Sequence, residues 1–425
     1  MPSLPGFRDF YPEDCFRRNY VVSVWREVAG RYGFVEYDGP TLESAELYRK
    51  KNEEGAEILE QLYSFRDRGD REVALRPEMT PTLARMIAAR ERHYRKPMKW
   101  FCVSNFFRHE RQQRGRLREF LQFNADIIGD NSPEADTEIL ALAIDLLRGF
   151  GLGEGDFVLR LSDRRAWMEF LASRGCEGDA ARLVLACADK LEREPAESLN
   201  AKLAPSGLTV DDLKAFIAAG NDEGFAPVLA SLHARGMGGF VEPDLSIVRG
   251  LAYYTGVVFE IFDRSKKLRA LAGGGRYDGL IAGLSDGAVD LPAMGFGMGD
   301  VVLGHLIDEV PAAAGRIPTP SSCDLYVVIA DEARRAEALA TIQQARDAGW
   351  RADFSVKPAK VGRQFQDAEQ LGAAVALVVG GEWPAVKWKS LATRNEETLD
   401  QPGLAERLKT VEKRPPLLTE TPTDT

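Results

Sequence analysis

The 425-residue sequence has five cysteines, at 15, 102, 176, 187 and 323, and no CxxC pair among them. Its four histidines, at 93, 109, 233 and 305, are equally dispersed. Neither a zinc site nor a disulfide framework is expected, and a reducing, cytoplasmic setting fits. No apolar run approaches the ~20 residues that a membrane span needs. The start, "MPSLPGFRDFYPEDC", lacks the apolar stretch that directs secretion. Excess positive charge is missing too. A formal net charge of −10 excludes indiscriminate coating of nucleic acid, yet an acidic body can still carry a local basic patch.

At roughly 100–200 residues per domain, the length predicts more than one domain. Pro12 and Asp14 open a helix whose apolar face is Val21, Val24, Trp25, Val28, Ala29 and Tyr32. "YGFVEYDGPTLES" reads as an extended segment interrupted at Gly39-Pro40. "LYSFRDRGDREVALRPEMT" reads as a hairpin turning at Arg68–Asp70, and "TPTLARMIAARERHY" as a helix with Thr80 as a candidate cap. The next stretch, "MKWFCVSNFFRHERQQRGRLREFLQFNADIIG", predicts two antiparallel strands joined by a polar loop with Gly115. Alternation puts Phe106, Arg108 and Glu110 on one face going out, and Phe120, Gln122, Asn124 and Asp126 on one face coming back. Set beside the apolar alternates Phe107, Leu121 and Phe123, so polar a face suggests a pocket floor.

A helix over 133–149 and a strand near 157–162 follow, then a helical insertion over 163–240. Strand signal returns in "AYYTGVVFEIF" and "LRALAGGG". Residues 311–321, rich in Ala and Pro, read as a linker. Residues 322–412 alternate strand and helix, which predicts a small α/β domain with a largely parallel sheet. The tail, 413–425, is expected to be disordered.

Several stretches carry chemistry. Arg108, Arg111, Arg114, Arg116 and Arg118 crowd one hairpin, and their guanidiniums suit phosphate; a solvated charged turn explains them equally well. Glu78 beside Thr80 suits an ammonium group, while a cap accounts for Thr80 as well. Tyr253 and Tyr254, read as strand residues, face opposite sides, so one packs while the other reaches a ligand. "LAGGGRYDGL" lets backbone or ligand approach closely, or simply turns tightly. In "MGFGMGDVVLG" a strand turns into a helix, and Gly295, Gly297 and Gly299 leave one strand face bare. That stretch fits a nucleotide floor or a packing joint, and it contains no cation. Together these features fit a pocket for a small amino acid plus a nucleotide.

Along nearly all its length the chain resembles the histidyl-tRNA synthetase family of class II aminoacyl-tRNA synthetases. "GFVEYDGPTLES" is similar to the family's first motif, whose proline lies at a dimer interface, and "FRHERQQRGRLREFLQFNADIIG" to its second. "VRGLAYYTG" and "AGGGRYDGL" are similar to two histidine-specific signatures. The resemblance implies an α+β catalytic domain on an antiparallel sheet, formed by 1–162 with 241–310, and a C-terminal α/β anticodon-binding domain. It also implies a homodimer that uses ATP and Mg2+, without zinc, to join L-histidine to tRNA-His through an adenylate.

By position, Glu78, Thr80 and Gln122 would hold the histidine α-amino group. Asp126 and Tyr254 would read the imidazole, with Tyr253 and Tyr277 lining the pocket. Arg108 and Arg249 would act at the α-phosphate and carboxylate. Glu110, Arg116, Phe120, Gly297 and Gly299 would serve ATP; Arg111 and Gln113 would face the tRNA acceptor end. The same resemblance admits a non-catalytic histidine-binding paralogue, such as a regulatory subunit of ATP phosphoribosyltransferase. The C-terminal domain and the retained Arg108, Glu110 and Arg249 weigh toward the ligase. Three positions depart from the family pattern. Ala252 stands where Asp is commoner, Met79 where Gly is usual, and Val302 where the third motif has an arginine for the ATP γ-phosphate.

Overall fold

The computed structural model describes residues 1–51, 56–111, 113–191, 193–248 and 253–410. Its contacts divide the chain into two units. One is Met1–Tyr11 with Val21–Arg316; the other is Pro12–Tyr20 with the chain from Ile317 onward.

In the first unit, β1 (Val35–Glu36) precedes a small sheet of β2 (Leu42–Ser44), β3 (Tyr63–Arg66) and β4 (Glu72–Leu75). The predicted hairpin is β3–β4; Asp70 turns it with φ 57°, a left-handed conformation that Asp tolerates. Then come β5 (Met98–Phe107), β6 (Glu119–Ile128), β7 (Phe157–Asp163), β8 (Val241–Pro243), β9 (Val257–Asp263), β10 (Ala272–Arg276) and β11 (Ala293–Gly299). With β1 they form an eight-stranded sheet in the order β1-β5-β6-β11-β10-β9-β7-β8. All pairings from β5 across to β7 are antiparallel; the short edge strands β1 and β8 run parallel to β5 and β7.

The helix Pro133–Gly149 packs on β6 and β11. Its start is well specified, because Pro133 takes the first turn and Ser132 accepts the Ala135 N–H at 3.3 Å. Ile139, Leu140, Ala143, Ile144 and Leu147 recur at helical spacing and are fully buried. On β6, Phe123, Ala125 and Ile127 are buried, and the alternate residues turn to the other face, where the cavity lies. Between β7 and β8 run five helices, Arg164–Ser173, Gly178–Ala188, Ala196–Leu203, Val210–Ala219 and Asp222–Ala234. The first four share a core that includes Trp167, Leu171, Val184, Leu199 and Leu213.

Two local expectations fail. β9 begins only at Val257, so Tyr253 and Tyr254 sit in the turn before the strand. Thr255 N–H is held by Arg276 O at 2.8 Å and Gly256 O by Arg164 N–H at 2.8 Å, which pins the chain before the ladder starts. Thr80 does not cap its helix; the helix is Thr80–Arg90, and no side chain caps its N-terminus. The segment Pro311–Ala314 forms a short helix with Ala313 buried.

The second unit has β12 (Leu325–Ile329), β13 (Ala352–Phe354), β14 (Val375–Val379), β15 (Val386–Ser390) and β16 (Glu396–Leu399). Their order is β13-β12-β14-β15-β16. The first three are parallel, as the alternation of strand and helix predicts, but β15 and β16 add an antiparallel hairpin. Val327, Ile342, Trp350, Leu377 and Trp388 form its core. Among the described residues, no helix is long and apolar enough to cross a membrane.

Candidate active site

A cavity of ≈ 260 Å³ opens over β6, β10 and β11. From β6 it receives Phe120, Gln122, Asn124 and Asp126, the face that alternation singled out. Opposite them, β11 pairs Gly295 with Asp126, Gly297 with Asn124 and Gly299 with Gln122. An ideal Cβ on Gly295 would fall 1.9 Å from Asp126 Oδ1, and one on Gly297 2.4 Å from Gln122 Nε2. At Gly299 nothing lies within 4 Å. The first two glycines thus make room for the side chains of β6, and the third leaves space open.

One end of the cavity is polar and enclosed. Asp126 is 5% exposed, and the Tyr277 hydroxyl donates to its Oδ1 at 2.5 Å. Burial, reinforced by the Asp126 charge, holds the Tyr277 phenol well above its usual range, so it stays a donor. Tyr253 and Tyr254 both line this cavity, their ring centroids 4.8 Å apart; the idea that only one would reach it fails with the strand assignment. Glu78 arrives from the turn after β4, and Thr80 from the start of the helix Thr80–Arg90. Their approach is fixed by Arg76, which donates to Asp38 Oδ1 at 2.9 Å, to Asn105 O at 2.9 Å and to Gly39 O at 2.8 Å. Met79 between them is buried with Cys102 and Phe106, so its departure from glycine is absorbed by the core.

The other end is charged. Arg108 lies over the Phe120 ring at 5.2 Å and donates to Pro77 O at 3.0 Å. Glu110 is 3.9 Å from Arg108 and 2.6 Å from Arg116. The remaining loop arginines with recorded contacts point elsewhere. Arg114 donates to Glu309 at 3.1 Å, and Arg118 to the Glu110 carbonyl at 3.2 Å. Of the loop arginines, Arg108 and Arg116 therefore line the cavity, and Arg114 and Arg118 do not. Val301 and Val302 complete this wall. Asp300 turns away from it: Arg8 donates to one oxygen at 2.7 Å and Leu121 N–H to the other at 3.0 Å. Burial raises the Asp300 carboxyl above its usual range, opposed by Arg8. In the glycine motif, then, the acid is a joint between the helix and β6.

Glu78, Thr80, Arg108, Glu110, Arg116, Phe120, Gln122, Asp126, Tyr253, Tyr254, Tyr277, Gly297 and Gly299 all line this one cavity. Arg111 is exposed outside it, and Gln113 accepts a hydrogen bond from Arg269. Arg249 and Ala252 lie outside the described residues. The sequence reading missed Glu260, which enters from β9 opposite Gly273 of β10. A lone carboxylate in the apolar run of β9 carried that signal. It also missed the role of Arg276, whose 5%-exposed guanidinium bonds Asp136, Asp278 and the Asp130 carbonyl. Among the described residues, no group of three or more His, Cys, Asp or Glu could hold a metal ion.

A family model described as histidyl-tRNA synthetase matches residues 6–235 and 223–299, and one described as anticodon binding domain matches residues 324–410. The chain is 43% identical over 421 residues to a histidine–tRNA ligase of Opitutus terrae, covering 93% of this chain and 94% of that protein. It is 36% identical over 428 residues to the histidine–tRNA ligase of Leptospira biflexa, covering 95% and 96%. Its fold is similar to the apo S. aureus histidyl-tRNA synthetase, with a TM-score of 0.74 and 26% identity over 96% of this chain and 100% of that one.

Proposed function

The chain belongs to the histidyl-tRNA synthetase family and ligates histidine to tRNA, and we propose that its cavity divides that work between its two ends. At the enclosed end, Asp126 and Tyr254 take the imidazole, with Tyr253 and Tyr277 around it, while Glu78, Thr80 and Gln122 hold the α-amino group. At the charged end, Arg108 and Arg116 hold phosphates, Glu110 lies by the adenine, and Gly297 and Gly299 leave room for the base. Arg249 bridges the histidine carboxylate and the α-phosphate, and Arg111 meets the tRNA acceptor end.

The carboxylate oxygen attacks the α-phosphorus in line, and pyrophosphate leaves. A terminal ribose hydroxyl of tRNA-His then attacks the acyl carbon, and AMP leaves. The guanidiniums act by positioning and by offsetting charge that builds on phosphate oxygen. Magnesium takes oxygen donors and travels with phosphates. Glu260, which lines the cavity from β9, would help to hold it, and the ion would supply further neutralisation of phosphate charge.

The observation that carries this reading is Asp126, a buried carboxylate fixed by Tyr277 at the closed end of a polar cavity. A site built to hydrogen-bond a ring N–H rejects analogues lacking it, by about 10⁴–10⁵ in the best cases. The test is histidine-dependent ATP–pyrophosphate exchange followed by charging of tRNA-His. Arg249→Ala should lower exchange by about 10²–10³; near-normal exchange would remove Arg249 from the mechanism. No observation favours the non-catalytic regulatory alternative. The working form is a cytoplasmic homodimer: Val35 on edge strand β1 is 63% exposed and Leu42 is 42% exposed, apolar surface that a second copy would cover. Sedimentation at a single-chain mass would overturn that.

A further inference from the structure

Beside the charged end of the cavity, on the exposed side of its lining, stands an arginine that the motifs did not mark, Arg269. Just ahead of β10, Ala270 and Leu271 line the cavity, and Leu271 N–H extends the ladder to Ile261 O at 2.7 Å. Arg269 therefore enters beside the turn at Gly115, where φ is 81°. The point where a Gly115 Cβ would sit is 3.1 Å from Val302 Cγ2 and 3.9 Å from Arg269 Cδ. The two side chains thus flank the same glycine, and an arginine stem rooted at 302 would run along the wall that the Arg269 stem borders. Gln113 accepts a hydrogen bond from the Arg269 guanidinium and fixes its direction. Arg116 is close enough that its charge, after burial, helps hold the Arg269 guanidinium below its usual range, with Glu110 opposing. Glu110 is already shared by Arg108 and Arg116. The cluster keeps positive charge beside the cavity, and paired guanidinium forks match phosphate oxygens.

We propose that Arg269, oriented by Gln113 and acting with Arg116, holds the terminal phosphate of ATP in place of a cation at position 302. This rests on the reading of the cavity as the adenylate-forming site. Arg269 is then a substrate-positioning residue whose contact is to the β,γ end of ATP, so AMP does not feel it.

The experiment uses the full-length enzyme in histidine-dependent ATP–pyrophosphate exchange, with AMP as a competitive inhibitor. In Arg269→Ala, the ATP KM should rise about tenfold or more, the loss of one charge-assisted contact. The AMP inhibition constant and the histidine KM should not change. Adding Val302→Arg to that variant should restore the ATP KM, because the second guanidinium runs along the same wall. An unchanged ATP KM in Arg269→Ala, an equal weakening of AMP, or a defect confined to tRNA charging would each overturn the proposal. A parent enzyme with no exchange at all would overturn the reading of the cavity itself, and the proposal with it.

Discussion

Adding one methyl group at Gly295 should cripple histidine recognition while leaving ATP binding intact. The Ala Cβ would be built 1.9 Å from Asp126 Oδ1 and 2.7 Å from Ala125 O. Carbon and oxygen not bonded to each other rest at about 3.3 Å or more, so the carboxylate must retreat by more than an ångström. It cannot retreat without stretching the 2.5 Å bond from Tyr277. A misplacement of about 1 Å in a reacting or recognising group costs on the order of 10²-fold. Gly295→Ala should therefore lower kcat/KM for histidine in pyrophosphate exchange by about 10²-fold. Part of the clash is with backbone, so melting should also fall by a few degrees, as overpacking by about 1–3 kcal/mol requires. Gly299→Ala is the internal control: nothing lies within 4 Å of its Cβ, and the proposed function assigns the open space there to the nucleotide. It should raise the ATP KM and spare the histidine KM. If Gly295→Ala kept a normal histidine KM, or if both variants damaged the same substrate, the assignment of the two ends would be wrong.

Asp126→Asn should raise the histidine KM about 10–100-fold, the range for losing a hydrogen bond to a charged group, with the ATP KM unchanged; equal loss for both substrates would count against its role. Arg276→Ala should destabilise the fold by about 3–5 kcal/mol in denaturant titration, because it strands the buried Asp136 carboxylate; both side chains are under a tenth exposed, at 5% and 7%. A loss below about 1 kcal/mol would mean that water screens the pair. Native protein at pH 8 should react quickly with thiol reagent at Cys15 alone among its five cysteines, since the other four are buried and burial pushes Cys102 up to about 12 and Cys323 up to about 11. Fast labelling of Cys102 before unfolding would show that its cluster with Met79 and Phe106 opens readily.

Strand alternation made the cavity floor legible, because Gln122, Asn124 and Asp126 of β6 are polar and face the pocket while Leu121, Phe123 and Ala125 between them are apolar. The helix behind the sheet was legible for the same kind of reason, a cap, a first-turn proline and an apolar repeat. What failed was whatever depended on partners distant in sequence. Nothing near Asp300 hints that Arg8 and Leu121 N–H hold it. Tyr253 and Tyr254 look like strand residues by composition, yet tertiary bonds to Thr255 and Gly256 stop the ladder short of them. The β15–β16 hairpin escaped notice because its apolar alternation, Val386 and Trp388 between lysines, is short and follows three convincing parallel strands.

The spacing of the β11 glycines now has a physical meaning beyond a bare face. Register with β6 sets their order along the strand, from Gly295 beside Asp126 to Gly299 beside open space, and under the proposed function that order runs from histidine to nucleotide. The helix that follows, Asp300–Glu309, spends its one first-turn charge on Arg8 and β6, and presents Val301 and Val302 to the cavity. Such a strand-helix joint can shape a nucleotide site but brings no cation to phosphate. The positive charge must come from across the cavity, from the loop carrying Arg108 and Arg116 and from Arg269. Gly115 is the point at which these walls meet: its positive φ turns the loop, and its missing Cβ lets Val302 and the Arg269 stem close together. A side chain at 115 would strain the turn and push those walls apart at once, so that glycine couples the phosphate contacts of two segments that are otherwise separate in sequence.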